Sequence, residues 1–369
     1  MAQSYADITI VGAGIVGLSV AISIAERMPS LSVKVVDRGS GSSGASTRNA
    51  GFACIGSISE ICSDIDTMGM TEALAVVKQR YAGLQELLRR VPSSAMDYKP
   101  CGGYEIFSDL PQYSAYAARL AEINDALATF IGIRECFESK EHPVFGATIY
   151  NRVEGSLHPA KMLSYLQDTA MQLGVSLVWD TTVTKVDSEH QLLHTSDGQM
   201  PTRTVVVCTN AWASRLLPNI KVEPARNQVL VTEPIEDLPI RGTYHMHEGY
   251  VYFRNIGDRL LIGGGRHLRM EQECTYDERP TDDYLLDYLY QLLGSKILKG
   301  KSIEISQSWT GHLGVGLQKS PIVSQIEHGL WVAARMGGMG VAIGSQIGID
   351  MAQMLLDDWQ HQPSQIVKR

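Results

Sequence analysis

Apolar and polar positions near the start of the chain fall into a strand, turn, helix, strand order. Ile8-Thr9-Ile10-Val11 is a short apolar run of buried-strand character. It enters Gly12-Ala13-Gly14-Ile15-Val16-Gly17, after which apolar residues recur at helical spacing from Leu18 to about Met28. Val33-Lys34-Val35-Val36 is a second strand, and it ends in Asp37. Farther along, the pattern predicts helices over Thr71 to Arg90 and Leu110 to Leu127, and strands at Gly103–Phe107 and Gln228–Glu233. Pro218, Pro224, Pro234 and Pro239 punctuate the middle of the chain, and no internal repeat, low-complexity segment or long linker interrupts it.

Strand, GxGxxG, helix, strand and acid is the order of a Rossmann-type dinucleotide site. Gly12 permits the tight turn, Gly14 lets the backbone approach a pyrophosphate, and Gly17 lets helix and strand pack closely. The helix start offers free N–H groups and a positive dipole end to the phosphates. Asp37 is placed to accept hydrogen bonds from ribose hydroxyls; its charge disfavours NADP, although Arg38 follows it. The next loop, Gly41-Ser42-Ser43-Gly44-Ala45-Ser46-Thr47-Arg48-Asn49-Ala50-Gly51-Phe52, is rich in small and hydroxyl residues. Such a loop can wrap a pyrophosphate and the ring system beyond it, which favours FAD over NAD.

Composition narrows the classes. The chain has 369 residues, 44% hydrophobic and 20% charged, with a net charge of −8. It carries no basic stripe of the kind that neutralises phosphates, so a nucleic-acid partner is not expected. The six cysteines (Cys54, Cys62, Cys101, Cys136, Cys208, Cys274) form no CxxC pair and no His/Cys cluster at metal-ligand spacing, so no metal site is expected. Met1 to Asp7 lack the basic region of a signal peptide. The apolar stretch Ile8 to Ala25 is broken by glycines and serines, unlike a membrane span, and the tail from Asp357 to Arg369 is polar. A soluble, cytoplasmic protein is the expectation.

Further landmarks lie along almost the whole chain. They are Gly155-Ser156-Leu157-His158-Pro159 before a helix, Thr181-Thr182-Val183-Thr184-Lys185-Val186, and Val205 through Asn210-Ala211-Trp212. Tyr250 through Gly265 reads as a hairpin, and Trp331 to Val341 as a strand–glycine turn before a last helix. With the GxGxxG and the Gly44–Gly51 loop, they resemble the D-amino-acid-oxidase-like family of FAD-dependent oxidoreductases. The resemblance implies an α/β fold: a Rossmann-type, glutathione-reductase-like FAD-binding domain (1–85, 150–217 and 308–369) interleaved with an α+β substrate domain (86–149 and 218–307) on a mainly antiparallel sheet.

It further implies noncovalent FAD held by Gly12, Ala13, Gly14, Ile15, Val16, Gly17, Asp37 and Arg38, and by Ser46, Thr47, Arg48, Asn49 and Gly51 of the second loop. Val183 would read the adenine edge through its backbone, and Asn210, Ala211 and Trp212 would lie on the strand returning to the nucleotide. Gly311, Gly337, Gly338, Met339, Gly340 and Val341 would lie beside or beneath the flavin, where a helix N-terminus stabilises the negative charge of the reduced ring.

The chemistry implied is oxidation of a C–N bond in a small amine or amino acid, by hydride transfer to flavin N5, giving an imine that hydrolyses. Electrons would leave to oxygen or a carrier. The alternatives are a 2-hydroxy-acid or polyol-phosphate dehydrogenase, and a flavin-binding RNA-modification or scaffold protein. Tyr250, Tyr252 and Arg254 alternate along one strand and so face one way. Arg254 is a candidate carboxylate clamp or else part of a surface ion pair. His312 is expected near the flavin, holding substrate, acting as a base, or simply packing. Two departures from the family pattern bear on substrate and acceptor. His312-Leu313 stands where relatives acting on simple amino acids carry a carboxylate-binding arginine, and Leu261 where sarcosine oxidase carries an oxygen-activating lysine.

Overall fold

The computed structural model describes residues 5–41, 43–279 and 283–361; Ser42 of the small-residue loop and the tail over 362–369 lie outside the described residues. An eight-stranded sheet is built around β1 (Ala6–Val11), because this apolar strand is buried on both faces. β1 pairs in parallel with β2 (Val33–Val36) and β11 (Gly198–Val207). β8 (Ser176–Val178) extends the parallel array beyond β2, and β18 (Leu330–Ala334) extends it beyond β11. β17 (Ile322–Glu327) closes one edge antiparallel, and β9 (Val183–Asp187) and β10 (Leu192–Thr195) form an antiparallel ribbon on β11.

Helix α1 (Ile15–Arg27) is buried from Ile15 to Ala25. A helix apolar all round needs partners on every side. It finds them in the parallel sheet, in α7 (Pro159–Gln172) and in α10 (Gly340–His361); α4 (Met70–Arg90) packs on α10, and its Arg90 donates to Ser19 and Ser23 of α1. Gly344 and Gly348, one turn apart on α10, face α1: a Cβ at 344 would stand 2.8 Å from Ile15 Cγ2, and one at 348 would run into Ser19.

A second eight-stranded sheet runs in the order β16 (Ile305–Val315), β12 (Glu223–Thr232), β15 (Arg259–Gly264), β14 (Val251–Ile256), β13 (Thr243–Met246), β4 (Gly103–Ile106), β6 (Gly146–Asn151) and β5 (Phe137–His142). Every pairing is antiparallel except β13 with β4. Its register separates two faces. Tyr104, Tyr244, Phe253, Ile262 and Leu230 stand in one cross-strand row and form a core with α9 (Asp283–Leu292). Tyr244 stacks on Phe253 at 4.7 Å and on Tyr104 at 5.3 Å. The neighbouring row, on the other face, is Glu105, His245, Tyr252, Gly263, Val229 and Trp309.

β3 (Phe52–Ala53) pairs with β7 (Gly155–Ser156), tying the second loop to the start of α7. The short helices α2 (Ala45–Arg48) and α8 (Ala213–Leu216) and the longer α3 (Ile58–Met68) complete the surroundings of the seam between the sheets. The helix expected from Leu110 to Leu127 is two, α5 (Leu110–Ala117) and α6 (Leu120–Ile131), separated by a turn at Ala118-Arg119. Only α6 buries side chains, Ile123 and Leu127, so the two segments lack a common apolar stripe. The boundary expected at 85 falls inside α4, and that at 308 inside β16.

Alanine normally stabilises a helix over glycine by about 1 kcal/mol. At the α1–α10 crossing the sign is expected to reverse: Gly348→Ala should destabilise by ~1–3 kcal/mol through overpacking. Thermal unfolding of the flavin-loaded protein measures it, and an unchanged or raised midpoint would refute the close crossing.

Candidate active site

Two cavities, of about 330 Å³ and about 1160 Å³, adjoin at the seam and share Ala45, Arg48, Asn49, Leu313, Gly338 and Val341 in their linings. The smaller begins at the β1–α1 turn. Gly12 takes φ +109°, and a Cβ there would stand 2.8 Å from the Cys208 carbonyl oxygen. A Cβ on Gly17 would collide with the Gly12 carbonyl, which is the close helix–strand contact its spacing predicts. Asp37 accepts from the N–H of Ala13 at 2.8 Å and of Gly39 at 2.9 Å, so its carboxylate sits at the tip of β2. Ser46 Oγ accepts from the N–H of Ile15 at 3.0 Å, joining the second loop to the helix N-terminus.

At the far side of this cavity, Asn210 Oδ1 accepts from the N–H groups of Arg335 (3.0 Å) and Met336 (3.2 Å) and braces the turn into α10. Gly337 and Gly338 have φ of +58° and +87°, as a sharp strand-to-helix turn requires. The Arg38 guanidinium lies 4.0 Å over the Trp212 ring and pairs with Glu278 at 2.6 Å. Gly12, Gly14, Ile15, Val16, Asp37, Arg38, Ser46, Arg48, Asn49, Val183, Asn210, Ala211, Trp212, Gly338, Gly340 and Val341 all line the smaller cavity. Gly311, Gly337 and Met339 line the larger one. Ala13, Gly17, Thr47 and Gly51 line neither. The cradle fits FAD: a helix N-terminus beside a residue without Cβ for the diphosphate, a carboxylate at the ribose end, and a second helix N-terminus where the cavities meet.

The larger cavity is roofed by the second face of the antiparallel sheet. Tyr252 lies across Gly263, where a Cβ would stand 2.6 Å from its ring, and burial pushes its hydroxyl up to about 12. Phe52 meets the rings of His245 and Tyr252 edge-on at 5.2 and 5.6 Å. Leu261 packs with Ala50, Phe52, Tyr252 and Trp309 and lines neither cavity, so the position expected to bear on oxygen activation is apolar packing behind the wall. Trp309 Nε1–H donates to the Arg48 carbonyl at 2.8 Å, and Arg48 donates back to the Thr310 carbonyl at 3.3 Å. These bonds pin the second loop to β16.

Two charged groups at this cavity had no local sequence signal. His245 Nε2 lies 2.7 Å from Glu154 Oε1, and Cys54 completes a buried trio whose ligand-type atoms lie within 4.8 Å of one another. Burial opposes charge on His245, yet Glu154, then Glu105 and Glu60, outweigh it and raise the imidazole above its ordinary value. Burial pushes the Cys54 thiol well up, so it stands protonated beside the pair. Farther out, Arg80 pairs with Glu60 at 2.9 Å, and Lys319 with Asp64 at 2.5 Å and Glu60 at 3.5 Å.

Arg254 and His312 stand away from the larger cavity, and of the readings open for His312 packing is the one the geometry supports. Arg254 shares a face with Tyr252 but sits one register step along, under Gly51, where it donates to the Leu157 carbonyl at 3.0 Å. Burial lowers it to about 10, and it lines neither cavity, so it is not positioned to clamp a substrate carboxylate. His312 lines the smaller cavity and not the larger; its Nε2 donates to the Asp277 carbonyl at 3.0 Å and its ring lies 5.8 Å from Trp212. Burial lowers its pKa, and packing at the nucleotide side is the role the geometry supports. Tyr252 does face the larger cavity, as does Tyr250, which precedes β14 and carries the Arg266 guanidinium 5.1 Å over its ring.

Comparison with known proteins gives a consistent result. The chain is 26% identical over 95% of its length, and 84% of the relative's, to gamma-glutamylputrescine oxidoreductase of Escherichia coli (strain K12). Its fold is similar to that of glycine oxidase from Geobacillus kaustophilus, with a TM-score of 0.75, 20% identity and 95% of each chain covered. It is similar also to L-proline dehydrogenase from P. horikoshii, with a TM-score of 0.74, 19% identity, and 96% of this chain and 94% of that one covered. No helix among the described residues is long and apolar enough to cross a membrane. The family model for FAD dependent oxidoreductases matches residues 7–354, and the chain belongs to that family, DAO: it is an FAD-dependent oxidoreductase.

Proposed function

We propose that the enzyme oxidises the C–N bond of a small amine or amino acid. The observation that carries this reading is the junction of the two cavities. A dinucleotide cradle opens, beside Arg48, Asn49, Leu313 and Gly338, into a separate chamber with an aromatic wall. FAD, when bound, supplies the acceptor for the hydride leaving the substrate carbon. Loss of that hydride and of a proton from nitrogen leaves an imine, which water converts to a carbonyl compound and an amine or ammonia.

The residues of the larger cavity orient and enclose. Phe52 and Tyr252, with Leu261 packed behind them, form an apolar wall that favours one pose of a bound substrate. With its hydroxyl held at about 12, Tyr252 stays neutral near pH 7 and can offer a hydrogen bond without accepting a proton. The α10 N-terminus, reached through Gly338 and Gly340, would offer a positive dipole end to the negative charge of a reduced flavin bound there. Relatives and fold neighbours named for amine or amino-acid substrates support the same reading.

Anaerobic absorbance titration of the purified flavoprotein against amines, amino acids and 2-hydroxy acids tests it. Bleaching by amines or amino acids is expected, and reoxidation in air sorts an oxidase from a dehydrogenase; bleaching by hydroxy acids alone would overturn the proposal. The cradle has its own test. Asp37→Ala leaves the N–H groups of Ala13 and Gly39 without their acceptor and removes the ribose partner, so FAD affinity should fall roughly 10- to 100-fold, read from flavin retained on gel filtration. Acid precipitation should release the flavin into the supernatant, as noncovalent binding requires.

A further inference from the structure

We propose that His245 is the anion-binding residue of the larger cavity, its Nε2 anchored on Glu154 and its Nδ1 presented to the carboxylate of an amino-acid substrate. The inference rests on the C–N oxidation reading and names its substrate class: amines that carry a carboxylate, rather than simple amines.

The geometry is that of a ring held from behind. His245 stands in the roof row between Glu105 on β4 and Tyr252 on β14, and it lines the larger cavity. Its Nε2–H is spent on Glu154 at 2.7 Å. Nδ1 makes no hydrogen bond among the described residues and is not one of the fully buried unpartnered atoms, which leaves it facing the chamber. Gly249, another lining residue, lies beside Nδ1 and has no side chain to cover it; a Cβ there would stand 3.9 Å from Nδ1, in van der Waals contact. Phe52 blocks one side of the ring edge-on, so the imidazole cannot turn away freely.

Protonation decides what Nδ1 offers. Because Nε2 already donates to Glu154, a neutral ring presents a lone pair at Nδ1, and a protonated ring presents an N–H with positive charge. The carboxylates facing the ring are Glu154 from the segment before β7, Glu105 from β4 and Glu60 from α3. Together they raise its pKa against burial, so the donor form is the one stabilised in the fold. Burial pushes up the two other titratable neighbours, Cys54 and Tyr252, so both stay neutral while His245 titrates. With the folded pKa raised, the donor form is complete at low pH and is lost as pH rises through that value. An unpartnered charged donor facing a semi-enclosed chamber recognises an anionic oxygen. Arg254, the residue expected in this role, lines neither cavity.

The test uses the flavin-loaded protein, with perturbation of flavin absorbance as readout and benzoate and its neutral isostere benzamide as probes. Benzoate should bind and benzamide bind at least tenfold more weakly. Benzoate affinity should fall as pH rises, and Glu154→Gln should move that fall to lower pH. His245→Gln should weaken benzoate roughly 10- to 100-fold while FAD content holds, and benzamide affinity, read on the same variant, should stay within about twofold. Equal affinity for benzoate in wild type and His245→Gln would overturn the proposal, as would a loss confined to Arg266→Gln. So would displacement of benzoate by Zn²⁺ that Cys54→Ser abolishes, since the trio would then be a metal site. Failure of the underlying reading is distinct: flavin that no amine or amino acid bleaches removes C–N oxidation, while a His245-dependent benzoate shift would still support the anion site.

Discussion

Close backbone approach at glycine is the constraint on which the rest of this molecule depends. The β1–α1 turn works only because Gly17 lets the first turn of α1 rest on the Gly12 carbonyl and Gly12 itself abuts Cys208. One helix farther out, Gly344 and Gly348 let the α10 backbone close directly onto Ile15 and Ser19 of α1. The two contacts place two helix N-termini around one seam, the first at Gly14 and the second at Gly340. Each brings orphan N–H groups and a positive dipole end, the arrangement a dinucleotide with a reducible ring requires.

Interleaving the domains follows from the same seam. The second loop must reach the nucleotide at Ser46 and the substrate roof at Arg48, a few residues later. Its backbone is therefore shared: Trp309 holds the Arg48 carbonyl from β16, and β3 holds Phe52 against β7. β16 in turn carries His312 toward the nucleotide side and Gly311 and Leu313 into the larger cavity. One strand serves both chambers because alternate side chains point to opposite faces.

How legible each part was follows from how local its physics is. The strand, GxGxxG, helix, strand and acid are contiguous, and each residue's task concerns its neighbours, so the cradle could be read almost residue by residue. Asn210, expected on the strand returning to the nucleotide, lines the smaller cavity, yet its bonds to Arg335 and Met336 span 125 and 126 positions and have no local signature. Period two correctly put Tyr252 and Arg254 on one face. What covers that face one step along, Gly51 and Leu157, comes from the other domain, and this decides that Tyr252 meets the chamber and Arg254 does not. The same alternation put Gly311 and His312 on opposite sides of β16, which a reading by proximity to the glycine could not resolve.

His245 and Glu154 show why charge in a roof row is the hardest feature to foresee. They lie 91 positions apart and meet only because β13 adds in parallel to β4, while the segment before β7 returns beneath Gly103. A histidine in an apolar strand reads as core, and a lone glutamate as surface. A buried carboxylate without a cation would be costly, as would a buried imidazolium without an anion. Together each removes most of the other's penalty, and only breaking the pair exposes it. A fold that buries such a pair at the wall of a reaction chamber, with one nitrogen left over, retains a polar group that packing alone does not require.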